Sequence, residues 1–220
     1  MVEQAQDREQ RLNSAMALGA SLLEVLETFE GTLRQLHPPR IPELQIHLRG
    51  PSGRLRGALE GFEEVITAGA PEESFRGFEQ RLCDGARAGL RATQLFAEAG
   101  RAAEGIGQIL NAMQQHCIAQ EAAFSLRRSL RPFSQFFLEP FARDRWEELD
   151  PESTSGSTGA GLGIQNARNG RELRGGFSLY VPESYQGEAW PLVVALHGGS
   201  GHGADFLWTW LREARSRQFL

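Results

Sequence analysis

Lysine is missing from this 220-residue chain, so all 23 of its basic residues are arginines. The absence removes Schiff-base chemistry, phosphate binding by a P-loop lysine and acid–base work by an amine. Cysteine is scarce. Cys83 and Cys117 lie far apart in helical patterns, too few for a disulfide framework in so long a chain, and buried thiols are expected. No apolar run approaches the about 20 residues that a membrane-spanning helix needs. The start, Met1 to Arg11, is polar and lacks the apolar core of a secretory signal. Together these features lead to the expectation of a reducing, cytoplasmic setting. Positive charge is not in surplus either. The formal net charge is -5, and an acidic balance argues against nucleic acid as a partner. Arg127, Arg128 and Arg131 form the densest basic cluster, and the acids near it point to a solvated helix face.

What is present is ordinary for a folded protein. Hydrophobic residues make up 40% and charged residues 23%, so global disorder is not expected. The length suits one large domain or two small ones. From about Asn13 to Leu36 the apolar residues Met16, Leu22, Leu23, Leu26, Phe29, Leu33 and Leu36 recur at helical spacing, and Pro38 and Pro39 stop the run. A Pro- and Gly-containing stretch from Pro38 to Gly53 reads as a break. Leu55, Leu59, Phe62, Val65 and Ile66 mark the next helix, which Gly69 ends; Pro71 opens another carrying Phe75, Phe78, Leu82, Ala86, Leu90 and Phe96. Ile106, Ile109, Leu110, Met113 and Cys117 mark a fourth helix, and a fifth begins near Glu121. Gly85, Gly89, Gly105 and Gly107 weaken their helices by roughly 1 kcal/mol each relative to alanine, which close helix–helix contact would explain. An antiparallel bundle over residues 1–149 is predicted.

Within that region Phe133, Phe136, Phe137 and Phe141 form an aromatic cluster. One reading is a core, or a seam against the next domain; another is an acyl-binding surface. An aromatic stripe at helical spacing normally faces a core, which favours the first. His116 and Cys117 are adjacent without further ligands nearby, and read as a helix-face pair rather than a metal site. His37 and His47 have no visible partners. Residues 150–170 open with D-P-E-S-T-S-G-S-T-G-A-G-L-G, small and polar, and read as a flexible linker.

The period then changes. Gly176 to Val181 alternates as a strand does, and Pro182 ends it. Trp190 to Leu196 is a continuous apolar run, as expected of a strand buried on both faces. His197-Gly198-Gly199-Ser200-Gly201-His202-Gly203 follows, then a helix carrying Phe206, Leu207, Trp210, Leu211 and Ala214.

The phrases F-S-L-Y-V-P-E-S-Y and W-P-L-V-V-A-L-H-G-G-S-G-H-G, in this order, resemble the start of an α/β-hydrolase. They are similar to the phospholipase/carboxylesterase branch, whose pattern feruloyl-esterase-like and dienelactone-hydrolase-like enzymes share. The resemblance covers about residues 171 to 220. It implies an oxyanion loop of His197, Gly198 and Gly199. Gly199 N–H would hold the charge that develops on an ester carbonyl, Gly198 would set the turn, and His197 would organise the loop. It implies a small-molecule ester substrate and an acyl-serine route with no metal or organic cofactor. The chain departs from the family in one respect: no G-x-S-x-G is present. Gly198-Gly199-Ser200-Gly201-His202 comes nearest and ends in histidine. No catalytic residue is therefore expected in this chain. The expectation is a fragment, an early-terminated gene or a product needing a partner, inactive alone.

The expected fold class is α+β, an N-terminal helical bundle followed by a β-hairpin plus helix that begins an α/β-hydrolase over residues 171–220. Two rivals stand beside it. Gly199-x-Gly201-x-x-Ala204 fits the relaxed dinucleotide fingerprint G-x-G-x-x-G/A. The helical part is the larger, and on the other rival it is a non-catalytic interaction module, with a homodimer through the helices as its partner state.

Overall fold

The computed structural model describes residues 2–68, 73–100, 103–151, 161–169, 175–198 and 201–220. The fold class is α+β: mostly helical, with a small two-stranded antiparallel sheet. The chain divides into two compact units, Met1–Leu126 and Arg127–Leu220.

Unit 1 holds four long helices, α1 (Val2–Arg34), α2 (Ile41–Ala68), α3 (Glu73–Glu98) and α4 (Ala103–Ser125). Their connections are short, so neighbours in sequence pack as neighbours in space. Leu18, Leu22, Val25 and Phe29 of α1, Leu48, Leu55 and Phe62 of α2, Leu82 and Phe96 of α3, and Ala112 and Ala119 of α4 are buried together in its interior. At one end of it the Phe29 and Phe96 rings meet edge to face at 5.8 Å. Gln45 closes the end of α3, its amide donating to Phe96 O at 3.0 Å and Ala99 O at 2.9 Å.

Two helices are longer than their sequence patterns suggest. The polar first residues are already helical in α1. The stretch read as a break after Pro38 is instead a short 3₁₀ turn, Pro38–Arg40, followed by α2, which runs through Pro51. A proline inside a helix costs about 3 kcal/mol. Ile41, Leu44 and Leu48 before it and Leu55, Leu59 and Phe62 after it lie on one buried stripe, and burying that stripe outweighs the local cost. Gly69 and Pro71 lie outside the described residues.

Close helix contact accounts for two of the four glycines. A Cβ on Gly85 would sit 3.1 Å from Ala122 Cβ and 3.2 Å from Leu22, and one on Gly89 3.3 Å from Leu22. Gly107 faces open space. Cys83 is buried and Cys117 half-buried, and neither forms a disulfide. Burial pushes the Cys83 thiol up to about 11, so it stays protonated at neutral pH.

Unit 2 begins earlier than the sequence boundary at residue 149. It contains α5 (Arg131–Phe136), a 3₁₀ turn (Pro140–Arg145), α6 (Trp146–Leu149), β1 (Gly163–Ala167), β2 (Phe177–Val181) and α7 (Gly203–Arg217). The reason lies in the phenylalanine cluster. Phe133, Phe136 and Phe137 are buried, and the Phe137 ring lies 6.0 Å from Trp208 of α7. Arg212 stacks over Phe136 at 4.0 Å. Phe141 is exposed and lies under Arg217 at 5.0 Å. Of the two readings for these rings, core packing describes the three buried ones, and α7 side chains are among the partners of Phe136 and Phe137.

The linker and hairpin expectations also need correction. Within residues 150–170, Gly163 to Ala167 form β1, which pairs antiparallel with β2 in the register Gly163↔Val181 to Ala167↔Phe177. The hairpin is thus β1–β2, not Phe177–Val181 with Trp190–Leu196. Residues 152–160 lie outside the described residues. The Trp190–Leu196 run, expected to be buried on both faces, is exposed: Val194 is 75% and Leu196 86% accessible.

Candidate functional site

Two constellations in unit 2 carry polar chemistry. The first is buried. On α7, Trp208, Leu211 and Arg215 follow at helical spacing, so the stripe that buries the two apolar residues also buries the guanidinium, which has no exposure. A buried cation requires partners. Arg215 lies 3.1 Å from Asp150 Oδ2 and 3.5 Å from Glu183 Oε2. Its Nη1 donates to Ser134 O and Phe137 O, each at 3.2 Å. Arg127 donates to Glu183 Oε1 at 2.8 Å and lies 3.5 Å from Asp150. Ser134 Oγ donates to Asp150 Oδ2 at 3.1 Å.

Tyr180 completes the cluster, donating its hydroxyl to Glu183 Oε2 at 2.5 Å. Burial, followed by the Glu183 charge, holds the Tyr180 phenol well above its usual range. Arg127 is therefore turned inward, contrary to the solvated-face reading. Arg128 and Arg131 are exposed as that reading expects, though Arg128 also pairs with Asp150. With Arg215, Asp150 and Glu183 shut off from solvent, and Arg127 and Arg215 matching the two carboxylates, this cluster joins the segment before the linker to β2 and α7. It is a structural clasp rather than a place for a substrate.

The second constellation is the loop before α7. His197 is exposed, and its Nδ1 donates to Gly198 O at 2.9 Å. The same carbonyl accepts from Gly201 N–H at 2.9 Å, closing a turn. A Cβ on Gly201 would meet His197 Cβ at 3.0 Å, so a side chain there would crowd the turn. His202 is the N-cap of α7, its Nδ1 accepting from Ala204 N–H at 3.2 Å. Gly199 and Ser200 lie outside the described residues, so the donor that the resemblance implies is among those not described.

At the other end of α7, Gln218 is left-handed (φ 59°) and turns the chain back. Leu220 N–H donates to Pro191 O at 2.9 Å, and Leu220 O accepts from Val193 N–H at 2.6 Å. One residue bonded to the two that flank Leu192 is the pattern of a parallel ladder. The chain therefore runs from the Trp190–Leu196 segment into the glycine-containing segment and α7, and returns so that Leu220 lies parallel beside Leu192.

Elsewhere the picture is plainer. His116 is a buried core residue rather than part of a helix-face pair: it stacks on Phe29 at 4.8 Å, its Nε2 lies 3.3 Å from Leu26 O, and Gln120 donates to its Nδ1 at 3.1 Å. Two depressions of about 450 and 520 Å³ lie in unit 1. The first is lined by Gln6, Glu9, Asn13 and Ser14 among others, the second by Glu60, Glu63, Glu64 and Thr67, and neither joins a nucleophile to a base. Among the described residues no three His, Cys, Asp or Glu side chains gather to hold a metal ion, and no helix is long and apolar enough to cross a membrane.

Sequence reasoning missed the clasp. For Arg215 a signal existed in its phase with Trp208 and Leu211; for Asp150 and Glu183, in irregular segments, there was none. Comparison with protein-family models, with characterised proteins and with solved structures finds no match to this chain.

Proposed function

We propose that residues 171–220 are the leading part of a serine-hydrolase-type carboxylesterase or phospholipase domain, with His197, Gly198 and Gly199 as its oxyanion loop. The observation that carries this reading is the parallel pairing of Leu220 across α7 with the flanks of Leu192. In open α/β sheets ligands bind at the carboxyl ends of the strands, and the apolar run Trp190–Leu196 leads directly into His197. Ester hydrolysis builds negative charge on the carbonyl oxygen, and a preorganised backbone donor there is worth about 2.7–4 kcal/mol. On this reading Gly199 N–H is that donor. The serine, acid and base would come from outside these 220 residues, which hold no G-x-S-x-G. The substrate class is a small carboxylic ester, and the acyl-serine route uses no metal or organic cofactor.

A dinucleotide reading of the same loop would set a pyrophosphate on the first amides of α7. That position is taken: His202 accepts from Ala204 N–H, and Asp205 adds a negative charge to the first turn. This supports the hydrolase reading over the nucleotide one.

The test is hydrolysis of p-nitrophenyl acetate by the 220-residue chain, and by the chain lengthened with whatever its gene encodes after Leu220. The chain alone should be no faster than buffer, since an oxyanion donor without a nucleophile gives little. The lengthened chain should turn over, and should stop when the serine of a newly supplied G-x-S-x-G becomes alanine. Turnover by the 220-residue chain that disappears with Ser200→Ala, or a following sequence with no such strand and elbow, would overturn the reading.

For unit 1 the supported role is self-association. Ile106, Leu110 and Met113 are exposed on α4 at spacings of four and three, and no charged residue lies between Glu104 and Glu121. A twofold contact places like residues near one another, which an uncharged face tolerates. Light scattering at micromolar concentration should give a dimer mass that Leu110→Glu lowers to that of a monomer. A monomer mass for the unaltered chain would end this idea.

A further inference from the structure

We propose that unit 1 pairs with a second copy of itself through an antiparallel contact, α4 against α4, in which Ile106 of each copy faces Cys117 of the other. This contact rests on the self-association read for unit 1 above, and fixes its direction and register.

The spacing of the stripe points to it. Ile106, Leu110 and Met113 are exposed on α4, and Cys117, one step further, is half-buried. The intervals are four, three and four residues. Such a run keeps to one flank of a helix and has the alternation of a coiled-coil seam. The bundle side of the same helix is taken up by Ile109, Ala112, His116, Ala119 and Ala123, all buried. The intervals also read the same in both directions. A twofold axis that crosses α4 midway between Leu110 and Met113 sets Ile106 at the height of the second copy's Cys117, and Leu110 at the height of its Met113. In a twofold contact, if one residue meets another, the second meets the first. A reversed copy of this stripe therefore matches it along its whole length.

Charge selects the direction. Between Glu104 and Glu121 there is no Asp, Glu or Arg, so the stripe itself repels neither arrangement. The ends differ. A parallel pair would set Glu121 beside Glu121, and the two negative helix ends together. The reversed pair brings Glu121 to the height of the second copy's helix start at Ala103. The unsatisfied N–H groups of a helix start favour an acid there. The two helix dipoles then oppose each other as well.

Distance separates the two arrangements. Ile106 and Cys117 are eleven residues apart, about 16 Å of helix. In the reversed pair the two copies of Cys117 are thus about 16 Å apart along the axis, whereas a disulfide spans about 4.4–6.8 Å between Cα atoms. In a parallel pair they stand at one height.

The experiment is brief oxidation in air with copper–phenanthroline, read on non-reducing gels after light scattering has given the mass of the 220-residue protein. Oxygen takes up the two protons and two electrons that each new disulfide releases. Cys83 is buried with its thiol pushed up to about 11, so Cys117 is the reporting thiol. The unaltered dimer should give no cross-linked band. Ile106→Cys, at a position 64% exposed, should move most of the chain to a band of twice the mass. Adding Cys117→Ser to that variant should abolish the band. A cross-linked band from the unaltered dimer, a band that survives Cys117→Ser, or no band from an Ile106→Cys dimer overturns the antiparallel contact and leaves self-association standing. A monomer mass for the unaltered protein ends both.

Discussion

Arg215→Ala is expected to remove about 3–5 kcal/mol of stability from unit 2, because deleting one partner of a buried ion pair strands the other charges. Asp150 Oδ2 and Glu183 Oε2 would lose the guanidinium now 3.1 and 3.5 Å away. Ser134 O and Phe137 O would lose their donor. Domains have about 5–15 kcal/mol in all, so the loss would leave unit 2 near the edge of folding. The sequence offers a selective probe. Its four tryptophans, Trp146, Trp190, Trp208 and Trp210, all lie after Arg127, so urea unfolding followed by tryptophan fluorescence reports on this unit. A second variant separates charge from packing. Arg215→Met keeps an apolar stem of similar reach on the stripe of Trp208 and Leu211, and should still lose most of the stability. A loss below about 1 kcal/mol in both would mean that Arg127 alone satisfies the two carboxylates, and that the clasp does not hold the unit together.

Phe29→Ala should cost unit 1 about 3–5 kcal/mol, the usual range for a buried phenylalanine cut to alanine. The ring has no exposure. It meets Phe96 edge to face at 5.8 Å and stacks on His116 at 4.8 Å, so its removal opens a hole between α1, α3 and α4. The imidazole then loses its apolar cover while still bonded to Leu26 O and Gln120. Far-UV circular dichroism during urea unfolding follows this unit, because α1 to α4 hold most of the helix. Phe29→Leu leaves a smaller void and should cost less than the alanine. Equal losses for the two would show that ring stacking, rather than filled volume, is what matters there.

Much of unit 1 was legible in the order of its residues. Phe29, Phe62, Leu82 and Phe96 fall at helical spacing and are buried in the helices expected of them. Pro51 was misleading because its cost is local, whereas the stripe from Ile41 to Phe62 that outweighs it gains its stability only against other helices. In unit 2 the strand Phe177–Val181 and the helix after the glycine loop were also readable from period alone. The partner of that strand was not. Gly163 to Ala167 reads G-I-Q-N-A, with little β-branching and a glycine-rich approach. Its pairing comes from cross-strand hydrogen bonds that composition does not record.

The sequence by itself determined which segments could be helix or strand, the absence of lysine chemistry, and the glycines that let the 197–203 loop turn. These follow from local sterics, spacing and side-chain type. Only the tertiary structure decided that Arg127 and Arg215 face inward on Asp150 and Glu183, that Phe136 and Phe137 meet α7, and that Leu220 runs beside Leu192. Each of these joins residues distant along the chain or set by a turn. Its energy exists only once desolvated groups meet, and no single segment carries a mark of the partner it will find.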